Sequence, residues 1–159
     1  WVNLLAQRLA EQCPQCVVVN ASISGDTTGA GLARLPHLLQ AHHPRIALIE
    51  LGGNDALRGY PIASIEANLR ALVTMARDAG AAVLLLGMEV PPNYGARYAQ
   101  AFHTMYRSVA AATGTTLVPF LLDGVATDAA LMQADGIHPT AAAQPRLLDN
   151  VWPALKPLL

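Results

Sequence analysis

Lysine is almost missing from this chain. Lys156 is the only lysine in 159 residues, ten residues are basic in all, and the formal net charge is −1. No basic run exists, which removes nucleic acid and anionic membrane surfaces as main partners. Charge of either sign is sparse: 13% of residues are charged against 53% hydrophobic, the balance of a folded globule and not of a disordered segment. Long hydrophobic runs are absent too. A membrane span needs roughly 18 apolar residues, whereas the longest apolar segment, AAVLLLGM, is broken by Gly87 and has the length of a buried strand. Cysteine is limited to Cys13 and Cys16 in CPQC. A zinc site needs a second pair or histidines in register, and neither is there. The pair sits where a helix leaves for a strand, the reverse of a redox dithiol. The plain reading is a pair without function, with a local disulfide in an oxidising compartment as the alternative. The chain opens WVNLLAQRLAEQ without an initiator Met or a signal-peptide pattern, so it reads as beginning in the middle of something.

What is present is alternation. Residues 1–11 have Leu4, Leu5 and Leu9 at helical spacing. CVVVN (Cys16 to Asn20) reads as a short strand, Thr28 to His43 as a helix that Pro36 should kink or break, and RIALIELG (Arg45 to Gly52) as a second strand. Ile62 to Ala79 is the clearest helix, with Ile62, Ile65, Leu69, Leu72, Val73 and Ala76 in one stripe and Gly80 as its stop. AAVLLLGM and TTLVPF read as further strands, with a helix from Ala96 to Thr113 between them. The last helix starts between Thr140 and Pro145 and ends near Leu155. Apolar strands alternating with helices predict a single α/β domain over residues 1–159, with a parallel sheet covered on both faces. Ligands of such sheets sit at the carboxyl ends of the strands. The segments that follow the strands are ASISGDTTGAG, GGNDALRG, VPPNYGARY and a stretch leading to DGIHP.

Those segments carry chemistry. In DGIHP, Asp135 and His138 lie three residues apart in a turn set by Gly136 and closed by Pro139. Asp135 can hold one ring nitrogen and leave the other as a general base. Gly25 in SGDT can present a bare backbone N–H, and Asn54 in GGND a side-chain amide, to one point. Donors aimed at one spot make an oxyanion hole. This is a hydrolase site with its nucleophile still to be named.

VVNASISGDT, ELGGND and DGIHP resemble the second, third and fifth blocks of the SGNH (GDSL-type) hydrolases. NASISGDT, GLARLP, ELGGNDALRG, PPNYGARY and DGIHP together are similar to the bacterial thioesterase I/lysophospholipase/arylesterase group, across essentially the whole chain. The resemblance implies a three-layer, flavodoxin-like α/β/α sandwich and a serine esterase or thioesterase working through an acyl-enzyme. It implies Gly25 and Asn54 as oxyanion donors, His138 as base and then acid, and Asp135 as its orienter. Leu57, Tyr60, Val90 and Tyr94 would line an acyl pocket for a small-molecule ester or thioester. It further implies no metal or organic cofactor, a monomer without stable membrane insertion, and a periplasmic or secreted address.

The family's first block, a GDS turn carrying the nucleophile, is absent. The serines are Ser22, Ser24, Ser64 and Ser108. Ser64 and Ser108 fall in predicted helices, and Ser22 and Ser24 flank the second block. The expectation is that the nucleophile lies upstream in a longer parent, with a first strand that belongs between CVVVN and RIALIEL. Residues 1–159 alone should then be inactive, and their sheet, short of an internal strand, prone to aggregate.

Blander readings stand beside these. Asp135 and His138 can be a turn in which Asp135 caps amides, and SGDT and GGND in the right order weigh against that. Gly29 and Gly31 read as turn glycines, and Asp55 as a cap. His37, His42 and His43 read as solvated positions near a helix C-terminus, and His103 as packed or exposed. Tyr94, Tyr98, Phe102 and Tyr106, four apart, read as a helix stripe, with Tyr94 before the helix proper. A nucleotide cradle does not fit, since the loop reads GxxxGxG without a phosphate lysine. A non-catalytic binding protein on the same fold is the alternative function.

Overall fold

The computed structural model describes residues 1–159, Pro92 by its backbone alone. The elements in order are α1 (Val2–Gln12), α2 (Thr28–His42), β1 (Ile46–Ile49), α3 (Gly53–Leu57), α4 (Ile62–Asp78), β2 (Ala82–Leu86), α5 (Ala96–Thr113), β3 (Thr116–Val118) and α6 (Gln144–Leu155). The chain forms two compact units, one of residues 1–21 with 121–159 and one of residues 22–120.

The unit of residues 22–120 holds a three-stranded sheet in the order β1-β2-β3, parallel throughout, with Ile46 opposite Ala82 and Leu84 opposite Thr116. The α/β class and the parallel sheet are as expected. Central β2 is the most apolar strand because it is buried on both faces. Val83 and Leu85 join the core formed with α2, α4 and α5. Leu84 and Leu86, which point the other way, are fully buried too. In α4 the predicted stripe is real: Ile65, Leu69, Leu72, Val73 and Ala76 are all buried. Each such Leu or Ile adds about 1.5–3 kcal/mol by leaving water.

Three expectations change. Cys16 to Asn20 does not form a strand, and Val17 and Val19 are 85% and 51% exposed. A β-branched run favours an extended backbone, but a strand needs a ladder partner, and β1 pairs only with β2. Gly29 and Gly31 are not in a turn but inside α2. Gly31 is there for packing: a Cβ on it would lie 2.4 Å from Leu51 Cδ1. Nor does Pro36 end α2, which runs through it to a left-handed cap at His43. The observed strands are also three or four residues shorter than the apolar runs that predicted them, because pairing and not hydrophobicity sets their ends.

The unit of residues 1–21 and 121–159 packs α1 on α6. Leu5 and Leu9 are buried in α1, and Leu147, Leu148, Val151 and Leu155 in α6. Arg8 pairs with Asp149 at 3.1 Å and lies 5.2 Å from the Trp152 ring centroid. Asn150 Nδ2 donates to the carbonyls of Leu121 and Asp123, at 2.9 and 2.8 Å, and so fixes the entry to the loop that carries DGIHP. Cys13 and Cys16 are joined in a disulfide, so the local bond replaces the reading of a pair without function. No helix among the described residues is long and apolar enough to cross a membrane.

Candidate active site

The loop from Leu131 to Thr140 is closed by hydrogen bonds of its own. Gln133 N donates to His138 O at 2.8 Å, Thr140 N to Leu131 O at 2.8 Å, and Gly136 N to Gln133 O at 2.9 Å. Inside it, Asp135 uses both oxygens. Oδ1 accepts from the amides of Ile137 and His138, at 2.9 and 3.0 Å, while Oδ2 meets His138 Nδ1 at 2.7 Å. The turn reading and the dyad reading are therefore both satisfied by one carboxylate. The His138 ring bond, then the two amides, hold the Asp135 carboxyl down at about 2 from its ordinary 3.8. A carboxylate that stays ionised keeps Nδ1 protonated and leaves Nε2 as the basic nitrogen. The pair is open to water, with His138 65% and Asp135 44% exposed at their side chains.

The structure brings Gly25 and Asn54 together within the other unit. Gly25 sits in a tight turn at φ +83°, a conformation that glycine adopts at no steric cost, and nothing lies within 4 Å of where its Cβ would be. Its N–H makes no hydrogen bond among the described residues. Asn54 is in the first turn of α3, and its Nδ2 donates to the Asp26 carbonyl at 3.0 Å. An amide NH₂ has two hydrogens, so one anchors the turn and the second is left for a ligand. Arg58 Nη2 donates to the Gly25 carbonyl at 3.2 Å, and Arg34 grips Asp26 Oδ2 through Nε at 3.0 Å and Nη2 at 2.6 Å.

Sequence reasoning named Asp55 as a cap, and it does cap a helix, though not its own. The carboxylate is 1% exposed and accepts from the backbone and hydroxyl of Thr28, at the start of α2. Thr28 was missed. TT before a helical pattern signals a capping site, and Thr27 does cap Ala30 N, but nothing local says that Thr28 will face a carboxylate 27 residues away. Below the GGND turn, Tyr106 donates its hydroxyl to Leu51 O at 2.9 Å. Burial, then the charges of Asp55 and Glu50, keeps this phenol well above its ordinary range, so it remains a neutral donor.

Of the four acyl-pocket candidates, three share one surface. Tyr94 reaches the Leu57 carbonyl at 3.3 Å, and Tyr98 the Tyr60 carbonyl at 2.7 Å, so two tyrosine hydroxyls strap the 57–60 loop to the start of α5. Tyr60 and Tyr94 remain exposed. Val90 is buried in the core cluster instead of facing outward. Phe102 and Tyr106 are buried in an edge-to-face contact, the helix stripe expected of them. His37, His42 and His43 are exposed, as read. His103 Nδ1 lies 2.9 Å from Glu89 Oε1 on the surface of the same unit.

Comparison with known proteins gives these features a context. Esterase TesA of Pseudomonas aeruginosa is 58% identical over 159 residues, all of this chain and 79% of its own length. A crystal structure of TesA superposes with a TM-score of 0.97 at 58% identity, over 100% of this chain and 88% of that one. Thioesterase 1/protease 1/lysophospholipase L1 of Escherichia coli is 46% identical over 142 residues, 89% of this chain and 68% of its own length. The psychrotrophic esterase EstA from Pseudoalteromonas, in a structure inhibited by monoethylphosphonate, matches at a TM-score of 0.92 and 39% identity, over 99% of this chain and 86% of that one. With residues 1–145 also matching its family model, the chain belongs to the GDSL-like lipase/acylhydrolase family and is a serine hydrolase by descent.

Proposed function

We propose that residues 1–159 are one hydrolase domain carrying the acid–base and oxyanion machinery of a serine esterase or thioesterase. The observation that carries this reading is the Asp135–His138 pair, fixed at 2.7 Å with Nε2 free of protein partners among the described residues. A serine hydroxyl attacks the acyl carbonyl as His138 Nε2 takes its proton. The oxyanion is held by the Gly25 N–H and the second Asn54 Nδ2 hydrogen. Collapse expels the alkoxide or thiolate, which leaves with the proton from His138, and water clears the acyl-enzyme by the same steps. Esterase and thioesterase names among the relatives support ester chemistry. Leu57, Tyr60 and Tyr94 offer an apolar surface suited to the acyl chain. No step calls for a metal or organic cofactor, and the protein acts as a monomer on a small-molecule substrate. The Cys13–Cys16 disulfide favours a periplasmic or secreted setting.

The attacking serine in this reading lies outside residues 1–159. Ser64 and Ser108 are held within α4 and α5, and Ser22 and Ser24 flank the Gly25 turn. Fluorophosphonate labelling, read by intact mass and peptide mapping, tests this on the natural gene product and on residues 1–159 alone. The expected result is one adduct on the gene product at a serine outside this range, and none on the folded 159-residue chain. An adduct on Ser22 or Ser24 would overturn the placement of the nucleophile. No adduct on the gene product would favour a non-catalytic binding protein on the same fold.

A further inference from the structure

We propose that Asp55 is a positioning residue, which through Thr28 fixes the separation between the two oxyanion donors. The proposal rests on the reading of Gly25 and Asn54 as those donors. Asp55 follows Asn54 directly on α3, so whatever holds its carboxylate holds the backbone that aims the Asn54 amide. That carboxylate is clamped twice to one residue. Oδ2 accepts from Thr28 N at 2.8 Å, and Oδ1 accepts from Thr28 Oγ1 at 2.6 Å. Two bonds to different oxygens fix a rotation as well as a distance. Thr28 is itself fully buried, and its hydroxyl accepts from Asn68 Nδ2 on α4 at 2.9 Å. The hydroxyl hydrogen is thereby directed at Asp55. Thr28 is three residues beyond Gly25 and begins α2, so the clamp ties the Gly25 turn to the helix that carries Asn54. The direct tie, Asn54 Nδ2 to Asp26 O, is the other end of the same short frame.

The energetics favour a geometric role over a purely cohesive one. Burying a carboxylate is expensive, and apolar packing of similar volume is often as stabilising or more so. What an apolar pair lacks is direction. The N-terminus of α2 offsets part of the cost through its unpaired amides and dipole, and the Thr28–Asn68 chain leaves neither hydroxyl nor carboxylate unmet. The arrangement belongs to a part of the molecule where small angular errors in donors translate into lost transition-state stabilisation.

The test is a mutant cycle on the natural gene product, assayed with p-nitrophenyl butyrate. Thr28→Val and Asp55→Asn should each lower kcat about 10–10²-fold with KM moving less than about threefold, the pattern of a weakened transition-state contact. Thr28→Ser, which retains the hydroxyl, should stay within about threefold of the parent. Combined with Asn54→Ala, either variant should cost less than about threefold more than Asn54→Ala alone, because the donor being positioned is already gone. If Asp55→Asn fails to fold, Thr28→Val carries the test, with its folded state checked by near-UV circular dichroism. Losses that multiply in the double variants, or a rise in KM at unchanged kcat, would overturn the positioning role while leaving the oxyanion reading intact. A silent Asn54→Ala would overturn both.

Discussion

The two halves of the proposed machinery are built in opposite ways. The Asp135–His138 dyad is a local device: four residues of chain, one carboxylate, three hydrogen bonds within a single exposed loop. The Gly25–Asn54 pair is a long-range device, assembled across 28 residues by Asn54 to Asp26 and across 27 by Thr28 to Asp55. The dyad is wet and the clamp is dry. Each suits its task. A general base must exchange protons with substrate and water, and an exposed imidazole does so. Oxyanion donors must be preorganised, since reorienting them during the reaction would forfeit their effect.

This contrast can be broken or sharpened by experiment, and the largest effect belongs to the exposed side. His138→Ala should abolish turnover by the natural gene product while leaving its melting temperature nearly unchanged, because the ring packs against little. Ester hydrolysis near the parent rate would remove His138 from the mechanism. On the buried side, Asn54→Ala should lower kcat by about 10²–10³, the scale of one oxyanion donor. Steady-state kinetics with a rate within a few-fold of the parent would count against that role. The core beneath it should respond in stability: Phe102→Ala removes a fully buried ring and should cost about 3–5 kcal/mol in a denaturant melt. A loss below about 1 kcal/mol would show that this region tolerates cavities as the exposed loop does.

The smallest effect is the titration of Asp135. Its carboxyl is held at about 2 by His138 and two amides, against an ordinary 3.8. A depressed carboxyl contributes stability above its unfolded value and loses it as pH falls through the folded one. The contribution is therefore complete above about pH 4 and disappears towards pH 2, and the side chain's openness to water keeps its effect on the melt small. Carbon-13 titration should give a midpoint near 2, moving back up in His138→Ala, where only the amide bonds remain. An unchanged midpoint in that variant would mean that the ring bond does not form in solution.

The same division decided what was legible beforehand. The dyad could be read because its partners are neighbours in sequence and a Gly-containing turn leaves them few alternatives. Helix positions were legible for a similar reason: the α4 stripe repeats at the helical period, and its predicted range differs from the observed one by a single residue. Strand Cys16 to Asn20 was misread because a β-branched run reports a backbone preference, whereas a strand is a relation between two segments. Gly31 was misread because its use is an approach to Leu51, 20 residues on, with no local trace. Val90 was misread because one side of a loop looks like the other until the core is in place.

By itself the sequence determined the α/β class, the five longer helices and the chemistry available at each loop, since these follow from periodicity and residue type over short spans. Only the tertiary structure decided which carboxylate is buried, that Asp55 serves the start of α2 and not its own helix, and that two tyrosine hydroxyls strap the 57–60 loop. Those outcomes depend on distances between segments far apart in the chain, which packing sets and composition does not.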